Sequence, residues 1–243
     1  MDYVTEAEKC KVQVLGFSDH IPFPDNRWAA VRMTYQELPE YLDEIEQARK
    51  ETDMVLLKGA ECEWVETLEH YYKDELYGRW GFDYLIGSAH YLQDDSGSWL
   101  PLHGIRGTKK ILADYTDHMI SLMQSGYFDF VAHPDLFGLF YHKWDDEAAA
   151  CTRAILDAAE AADTVLELNG YGLRKKPVQT DAGTRQPYPL LPFWDEAAGR
   201  NIRVLPNSDA HRPQDVGAGI RELKEFAAER GLRIADLSPL EHR

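Results

Sequence analysis

Short apolar runs alternate along the chain with longer stretches in which apolar residues recur every three or four positions. The short runs are typical of buried strands, and the longer stretches are typical of helices that pack on one face. The alternation continues along almost the whole chain, which predicts parallel strands joined by right-handed crossovers. The predicted strands are residues 12–17, 54–60, 84–87, 128–132, 165–168 and 202–206, and the predicted helices are residues 3–10, 35–50, 68–78, 111–124, 145–162, 191–199 and 220–230.

Acidic and imidazole side chains stand where the predicted strands end. Asp209 and His211 follow the last strand, and because they are two positions apart, an extended backbone directs both side chains to the same side. An open doubly wound sheet would gather such residues at one switch point, whereas a barrel presents every strand end on one rim. The repetition at nearly every strand therefore favours a closed or nearly closed barrel. The other residues of this kind are His20, Glu61, His90 and His133.

The chemistry of these side chains suits a divalent metal. Nitrogen and oxygen donors without thiolate favour Zn, Mn or Fe. A lone histidine is more often structural than a ligand, but the repetition at successive strand ends reverses that expectation. One catalytic ion usually takes three or four ligands, so the larger set predicts two or three divalent ions. The predicted metal ligands are His20, Glu61, His90, His133, Asp209 and His211, and Glu63 is predicted to orient one of the histidines from behind.

Two arginines follow strand ends in a chain that is otherwise acidic. Arg174 stands shortly after the strand at 165–168, and Arg212 follows His211 directly. Guanidinium groups bind phosphate through two parallel hydrogen bonds. Both arginines are therefore candidates for substrate binding, together with Asn169 at the preceding strand end. The alternative is a basic surface loop without a ligand.

The sequence also limits the chemistry of catalysis. It contains neither a Gly-x-Ser-x-Gly nucleophile elbow nor a glycine-rich phosphate loop that ends in Lys-Ser or Lys-Thr. Water is therefore the predicted nucleophile, with divalent ions at Glu61 supplying the Lewis acidity for in-line attack on a phosphate ester. Either His20 or the neighbouring Asp19 is predicted to give a proton to the leaving alcohol. The predicted catalytic residues are thus Glu61, His20 and Asp19.

Composition narrows the range of partners. The chain of 243 residues carries a formal net charge of −16, which argues against nucleic acid or an anionic membrane as the main partner. It contains neither an apolar run as long as a membrane-spanning helix nor the N-terminal pattern of a signal peptide, so a cytoplasmic location is expected. No linker-like stretch divides residues 1–243, which predicts one α/β domain. The three cysteines, Cys10, Cys62 and Cys151, are expected to be reduced thiols.

The strand ends also carry a family resemblance. The chain contains, in the order seen in PHP-domain phosphoesterases, the motifs Gly-Phe-Ser-Asp-His, Gly-Ala-Glu-Cys-Glu, Gly-Ser-Ala-His-Tyr-Leu, Ala-His-Pro-Asp-Leu, Glu-Leu-Asn-Gly-Tyr-Gly-Leu-Arg-Lys and Ser-Asp-Ala-His-Arg-Pro. From about Tyr3 to about Gly231 it resembles the PHP-type histidinol-phosphatases most closely. Each motif is weak alone, but their shared order is specific.

The resemblance implies a fold and an activity. PHP domains are distorted TIM-like (β/α)7 barrels with a two- or three-metal cluster. The resemblance implies that Glu61, the first glutamate of Gly-x-Glu-x-Glu, bridges two ions and that Arg174 lies at the phosphate. The implied reaction is hydrolysis of L-histidinol phosphate to L-histidinol and phosphate in histidine biosynthesis. Two alternatives stay open: a PHP phosphoesterase acting on another small phosphate ester, and a folded PHP domain that is inactive or impaired.

One part of the family pattern has no counterpart in this sequence. PHP domains open with a strand that ends in His-x-His, whereas the first histidine here is His20. On this view residues 12–17 are the second barrel strand, and their unpaired edge is a liability in water. We expect the first strand to be encoded upstream of Met1 or to have been lost. An open upstream reading frame that ends a strand in His-x-His supports the first possibility, and an immediate in-frame stop codon supports the second.

Overall fold

A parallel β-sheet of seven strands forms the centre of the computed structural model, which describes residues 1–238 and residue 240. The strands are β1 (Val14–Phe17), β2 (Val55–Glu63), β3 (Tyr84–Ser88), β4 (Tyr91–Gln93), β5 (Trp99–Pro101), β6 (Phe130–Val131), β7 (Val165–Asn169), β8 (Val178–Thr180), β9 (Gly183–Arg185), β10 (Arg203–Asn207) and β11 (Arg233–Ile234). The sheet runs β1-β2-β3-β6-β7-β10-β11, while β4 with β5 and β8 with β9 form separate antiparallel hairpins.

Helices connect the strands of the sheet, as the alternating pattern predicts. Within the described residues, no helix is both long enough and apolar enough to cross a lipid bilayer. The α-helices are α1 (Asp2–Lys9), α2 (Leu38–Ala48), α3 (Lys109–Ser125), α4 (Asp146–Ala161), α5 (Leu191–Ala197) and α6 (Ile220–Glu229). Short 3-10 helices cover Tyr35–Glu37, Glu66–Leu68, Leu136–Leu139, Gly172–Arg174 and Pro213–Asp215, and a π-helix covers Tyr71–Arg79.

Several helix boundaries follow local signals in the sequence. Thr34 and Glu37 form the capping box that begins the helical region of α2. At the start of α3, the Thr108 hydroxyl accepts a hydrogen bond from the backbone N–H of Ile111. The same helix ends at Gly126, whose φ of 70° lies in the left-handed region that glycine adopts without steric cost.

The helix predicted for residues 68–78 is present, and its form is unusual. The backbone forms a π-helix over Tyr71–Arg79 instead of an α-helix. At its end the Trp80 N–H donates to the carbonyl of Glu75, five residues earlier. The apolar residues of this segment are therefore not spaced by a regular α-helical period.

The sheet curls but does not close. Among the described residues, β1 pairs only with β2, and β11 pairs only with β10. A cavity of about 400 Å³ lies between β1 and the end of β10 and is lined by residues of both. The expected TIM-like arrangement of seven parallel strands is thus confirmed, with an open seam between β1 and β10. The two-residue strand β11 was not predicted from the sequence.

Apolar side chains fill the inside of the curled sheet. The ring of Tyr84 lies against two neighbouring strands: a Cβ atom on Gly59 would be 2.1 Å from Tyr84 Cζ, and a Cβ atom on Gly16 would be 2.3 Å from Tyr84 Oη. Both positions need glycine because the ring occupies the space of a side chain. Leu85, next in the chain, points to the opposite face and packs with the outer helices. The inner cluster consists of Leu57, Tyr84, Ile86, Phe130, Ala132, Val165, Ala235 and Leu240.

Candidate metal centre

The carboxyl ends of the parallel strands bring the predicted metal ligands to one rim of the sheet. Glu61 lies near the end of β2, and His20 forms an isolated bridge with it that continues the β1–β2 pairing to the rim. Neighbouring parallel strands end at the same edge, so residues far apart in sequence meet there. After β3, β6 and β10 the chain supplies His90, His133, Asp209 and His211.

Glu61 is at the centre of this group. Its Oε1 lies 3.2 Å from Nε2 of His133 and 3.6 Å from Nε2 of His90. Its Oε2 lies 3.4 Å from Nδ1 of His20. Two ligands of one tetrahedral zinc ion with bonds of about 2.1 Å are about 3.4 Å apart. The observed separations therefore fit donors that share a cation.

The carboxylate of Glu63 fixes the ring of His90. Nδ1 of His90 donates a hydrogen bond to Glu63 Oε1 at 2.6 Å, and the backbone N–H of His90 donates to Glu63 Oε2 at 2.8 Å. In the neutral ring Nε2 is then unprotonated, and it faces Nε2 of His133 at 3.1 Å. The prediction that Glu63 orients one of the histidines is confirmed.

The electrostatics of the group favour a bound positive charge. Burial alone would raise the pKa of Glu61, but His20, His90 and His133 hold that pKa far below its usual range. Burial lowers the pKa of His133, yet the hydrogen bond to Glu61 and the negative charges of Glu61, Glu167 and Asp209 together outweigh this effect and raise the pKa to about 9. The carboxylate thus draws a proton onto His133, which a divalent ion would displace.

His20 provides a second test of whether a metal fits. Burial lowers the pKa of His20, so its neutral form is favoured. Its Nδ1 is buried without a hydrogen-bond partner among the described residues. An unpartnered buried nitrogen is costly, and a cation held between this nitrogen and Glu61 Oε2, 3.4 Å away, would remove that cost. The residues present therefore fit a divalent cation.

Two of the candidate ligands have strained backbones. His133 and Asp209 have φ angles of 28° and 46°, in the left-handed region that residues with a Cβ atom rarely adopt. Such conformations cost on the order of 1–3 kcal/mol and persist where surrounding contacts enforce them. The backbone N–H of His133 donates to buried Glu167 Oε2 at 2.9 Å, and Asp209 Oδ2 accepts from Asn169 Nδ2 at 2.9 Å. These contacts hold both residues at the rim.

Asn169 supports the group from below. Besides its bond to Asp209, its Nδ2 donates to Glu167 Oε2 at 2.8 Å and its Oδ1 accepts from the Gly172 N–H at 3.1 Å. Asn169 is buried, and it lines neither of the two cavities at the rim. The predicted direct contact with substrate does not fit this position.

Arg174 is also a supporting residue here. Its Nη1 and Nη2 donate to four backbone carbonyls at 2.7–3.3 Å, and it lines neither cavity. The phosphate contact predicted for Arg174 does not fit this placement, because backbone oxygens take up those donors. Arg212 is exposed, and its guanidinium makes no hydrogen bond or ion pair within the described residues. The four carbonyls belong to Gly170, Ser208, Asp209 and Ala218.

The two candidate proton donors differ in placement. His20 lines both cavities, whereas Asp19 is exposed and lines only the cavity in the seam between β1 and β10. The carbonyl of Asp19 accepts a hydrogen bond from the Glu61 N–H at 3.0 Å, which fixes the backbone at this point. Of the two, His20 alone borders the space that His90 and His133 also line.

The second cavity, of about 340 Å³, has two cations in its wall that the sequence analysis missed. Arg32 comes from the loop before α2 and is almost fully buried; its Nη1 donates to the Ile21 carbonyl, and its Nη2 lies 3.6 Å from Glu63 Oε1. Lys175 follows Arg174 directly and ends the motif Glu-Leu-Asn-Gly-Tyr-Gly-Leu-Arg-Lys, and this position was the available signal. No pattern in the sequence marks Arg32. The wall also includes His20, Glu61, His90, His103, His133, Tyr171, Tyr188, Asp209 and His211.

Known proteins share this fold, and one relative is similar in sequence over most of the chain. A protein of Deinococcus radiodurans named "Probable histidinol-phosphatase" is 32% identical over 225 residues, which cover 89% of this chain and 81% of the relative. A crystal structure of a candidate histidinol phosphatase from Listeria monocytogenes has a TM-score of 0.73 at 19% identity, covering 91% of this chain and 92% of that chain.

A further solved structure is similar at a comparable level. It is the histidinol phosphate phosphatase of Lactococcus lactis in complex with Zn, L-histidinol and phosphate, with a TM-score of 0.69 at 18% identity, covering 98% of this chain and 90% of that chain. At these identities the solved structures establish the fold. The family model of the PHP domain matches residues 1–170. Together with the D. radiodurans relative, this match shows that the chain belongs to the PHP domain family.

Proposed function

We propose that this protein is a metal-dependent phosphomonoesterase that hydrolyses L-histidinol phosphate to L-histidinol and phosphate. The observation that carries the proposal is the carboxylate of Glu61, which lies 3.2–3.6 Å from ring nitrogens of three histidines at one rim of the sheet. The names of the relatives support the substrate, since the L. lactis protein was crystallised with Zn, L-histidinol and phosphate. A role in histidine biosynthesis, a cytoplasmic location and a single domain over residues 1–243 are parts of the same proposal.

Two or three divalent ions, of Zn, Mn or Fe, complete the proposed site. When bound, they supply the Lewis acidity that polarises a phosphate ester and makes water a nucleophile at neutral pH. Glu63 keeps the His90 ring in the tautomer whose Nε2 is free, and Arg174 holds the backbone of the Asp209 segment. The residues that would hold the ions are His20, Glu61, His90, His133, Asp209 and His211.

The chain's own residues then account for the transfer of the proton. In the proposed reaction the oxygen of water bonds to phosphorus while the bond from phosphorus to the alcohol oxygen breaks. The attacking water loses a proton and the leaving alcohol oxygen gains one, so the transfer balances. We assign the delivery of this proton to His20, whose ring borders the cavity, in the state in which that ring does not hold an ion. Asp19, in the neighbouring seam, remains the other candidate.

A comparison of substrates tests the proposal. The purified protein is supplied with Zn²⁺ or Mn²⁺, and phosphate release is measured from L-histidinol phosphate and from several other small phosphate monoesters. We expect the highest kcat/KM for L-histidinol phosphate, and the variant Glu61→Gln controls for contaminating phosphatases. A higher kcat/KM for another ester would show that L-histidinol phosphate is not the preferred substrate, but it would still support the assigned phosphatase site. Release from none of the esters would contradict the proposal.

A folded PHP domain without phosphatase activity is the second candidate. The observation that favours it is the edge of β1 that faces β10, which has no paired strand among the described residues. A site beside this unpaired edge would have ligands from β1 and the later strands but none from a strand on the other side of β1, so it could hold fewer than the two or three ions proposed. Counting metals by plasma emission separates the candidates: two or more ions per chain favours the enzyme, and one or none favours the inactive domain.

A further inference from the structure

The side chain of Lys175 is held in place by an aromatic stack at the rim. Its Nζ lies 4.3 Å from the centre of the Tyr171 ring. The same ring stacks on His211, with 4.0 Å between ring centres and 15° between planes. The Tyr171 ring therefore contacts both the ammonium group and a candidate metal ligand.

Within the described residues, Lys175 Nζ makes no hydrogen bond and no ion pair, although the chain is strongly acidic. The side chain is half-buried and lines the same cavity as Glu61 and Asp209. Burial lowers the pKa of Lys175, while Asp209 and Glu61 favour its charged form. A half-buried ammonium without an anion is costly, so the position suits an anion that arrives with the substrate.

The basic residues on either side of Lys175 do not place a free cation in the cavity. The Nη groups of Arg174 donate to backbone carbonyls. Lys176 is exposed and lines neither cavity. The other cation of the cavity, Arg32, donates to the Ile21 carbonyl and lies 3.6 Å from Glu63. Of the cationic lysine and arginine side chains in this wall, Lys175 is the one whose donors are all free within the described residues.

We propose that Lys175 binds the phosphate group of the substrate through its Nζ. The inference rests on the proposed function and names the residue that takes the place predicted for Arg174. Lys175 contributes one cationic group, which donates a hydrogen bond to a phosphate oxygen in the cavity that Glu61 also lines. Its stacking on Tyr171 restricts the side chain before substrate arrives, which reduces the entropy lost on binding.

The test measures binding of inorganic phosphate to the metal-loaded protein by titration calorimetry, which needs no turnover. The variants are Lys175→Gln, Lys175→Arg and the matched control Lys176→Gln. We expect Lys175→Gln to weaken phosphate binding about tenfold or more, as loss of a hydrogen bond to a charged group does. Lys175→Arg should bind phosphate more tightly than Lys175→Gln, and Lys176→Gln should bind like the wild type.

Two additional readouts separate phosphate binding from other roles. Inhibition by L-histidinol should stay within about twofold of wild type in Lys175→Gln, because the alcohol lacks the phosphate, and the metal content should be unchanged. Equal phosphate affinity in Lys175→Gln and Lys176→Gln would overturn the inference. Loss of metal in Lys175→Gln would also overturn it, because Lys175 would then act by positioning His211 through Tyr171. Wild-type protein that binds phosphate but hydrolyses no ester would refute the proposed function while leaving the role of Lys175 testable.

Discussion

Glu63 accepts two hydrogen bonds from His90, one from the backbone N–H at 2.8 Å and one from ring Nδ1 at 2.6 Å. Burial alone would raise the pKa of Glu63, but His90 and Arg32 lower the pKa to about 2, so the group is a carboxylate at neutral pH. A carboxylate on Nδ1 leaves Nε2 of His90 unprotonated, with a lone pair that a metal ion can use, 3.6 Å from Glu61 Oε1. A residue that lines neither rim cavity thus sets the orientation of one that does.

The substitution Glu63→Gln should weaken metal binding without unfolding the protein. A carboxamide lacks the charge and offers one acceptor oxygen, so it cannot accept both hydrogen bonds in the same way. Loss of such a supporting contact typically reduces metal affinity by about 10–100-fold. Competition with a chelator measures the change, and Glu66→Gln, at an exposed position nearby, is the control. Equal affinity in the two variants would show that Glu63 does not support the site.

Removing a central ligand should have a larger effect on catalysis. The carboxylate of Glu61 lies within 3.6 Å of three ring nitrogens, and His133 lies opposite His90. We expect Glu61→Gln and His133→Ala each to lower kcat by at least about 100-fold, beyond the effect of a supporting residue. Circular dichroism should remain close to that of the wild type. If either variant keeps a kcat close to that of the wild type, the substituted residue is not a central metal ligand.

The substitution Arg174→Met should lower the free energy of unfolding and leave the affinity for phosphate little changed. The guanidinium donates to carbonyls on three separate segments, at Gly170, at Ser208 with Asp209, and at Ala218. Buried carbonyls that lose their donor cost about 1–3 kcal/mol. Chemical denaturation measures the loss, with Arg212→Met as the control because the Arg212 side chain is exposed. Equal stability of the two variants would contradict the supporting role.

The substitution Gly59→Ala should destabilise the sheet. An added Cβ atom would lie 2.1 Å from Tyr84 Cζ, so either the ring or the strand must move. Overpacking of this kind costs about 1–3 kcal/mol. Gly78→Ala is the matched control, because its Cβ would meet no atom closer than 3.5 Å, and it should leave stability unchanged or slightly higher. A melting temperature of Gly59→Ala equal to that of the control would contradict the packing described.

The rim of the site could be predicted because its signals are local and periodic. Each apolar strand ends in a polar residue, and the parallel order follows from the alternation with helices. Glu61, His90 and His133 meet for that reason. The π-helix at Tyr71–Arg79 could not be predicted, because bonds to the fifth preceding residue leave no regular period in the sequence.

The cationic side chains were harder to assign from sequence. Arg174 and Lys175 follow each other at the end of a 3-10 turn, in which successive side chains are rotated by about 120°. A shift of one position in the sequence therefore decides whether a basic side chain points to the backbone carbonyls, as Arg174 does, or to the cavity, as Lys175 does. Arg32 belongs to a loop in which Asn26 and Trp28 have φ angles of 54° and 61°. Such a loop has no periodicity from which the direction of a side chain follows.

The central claim is that the group around Glu61 binds divalent ions that are required to hydrolyse a phosphate ester. The most direct measurement is phosphate release from L-histidinol phosphate by the same preparation as isolated, after removal of metal with a chelator, and after addition of Zn²⁺ or Mn²⁺, with the metal content determined at each stage. The account predicts that release falls by at least about 100-fold with the loss of metal and returns when ions are added. Release that is unchanged in metal-free protein, or absent from protein that carries two or more ions per chain, would contradict it.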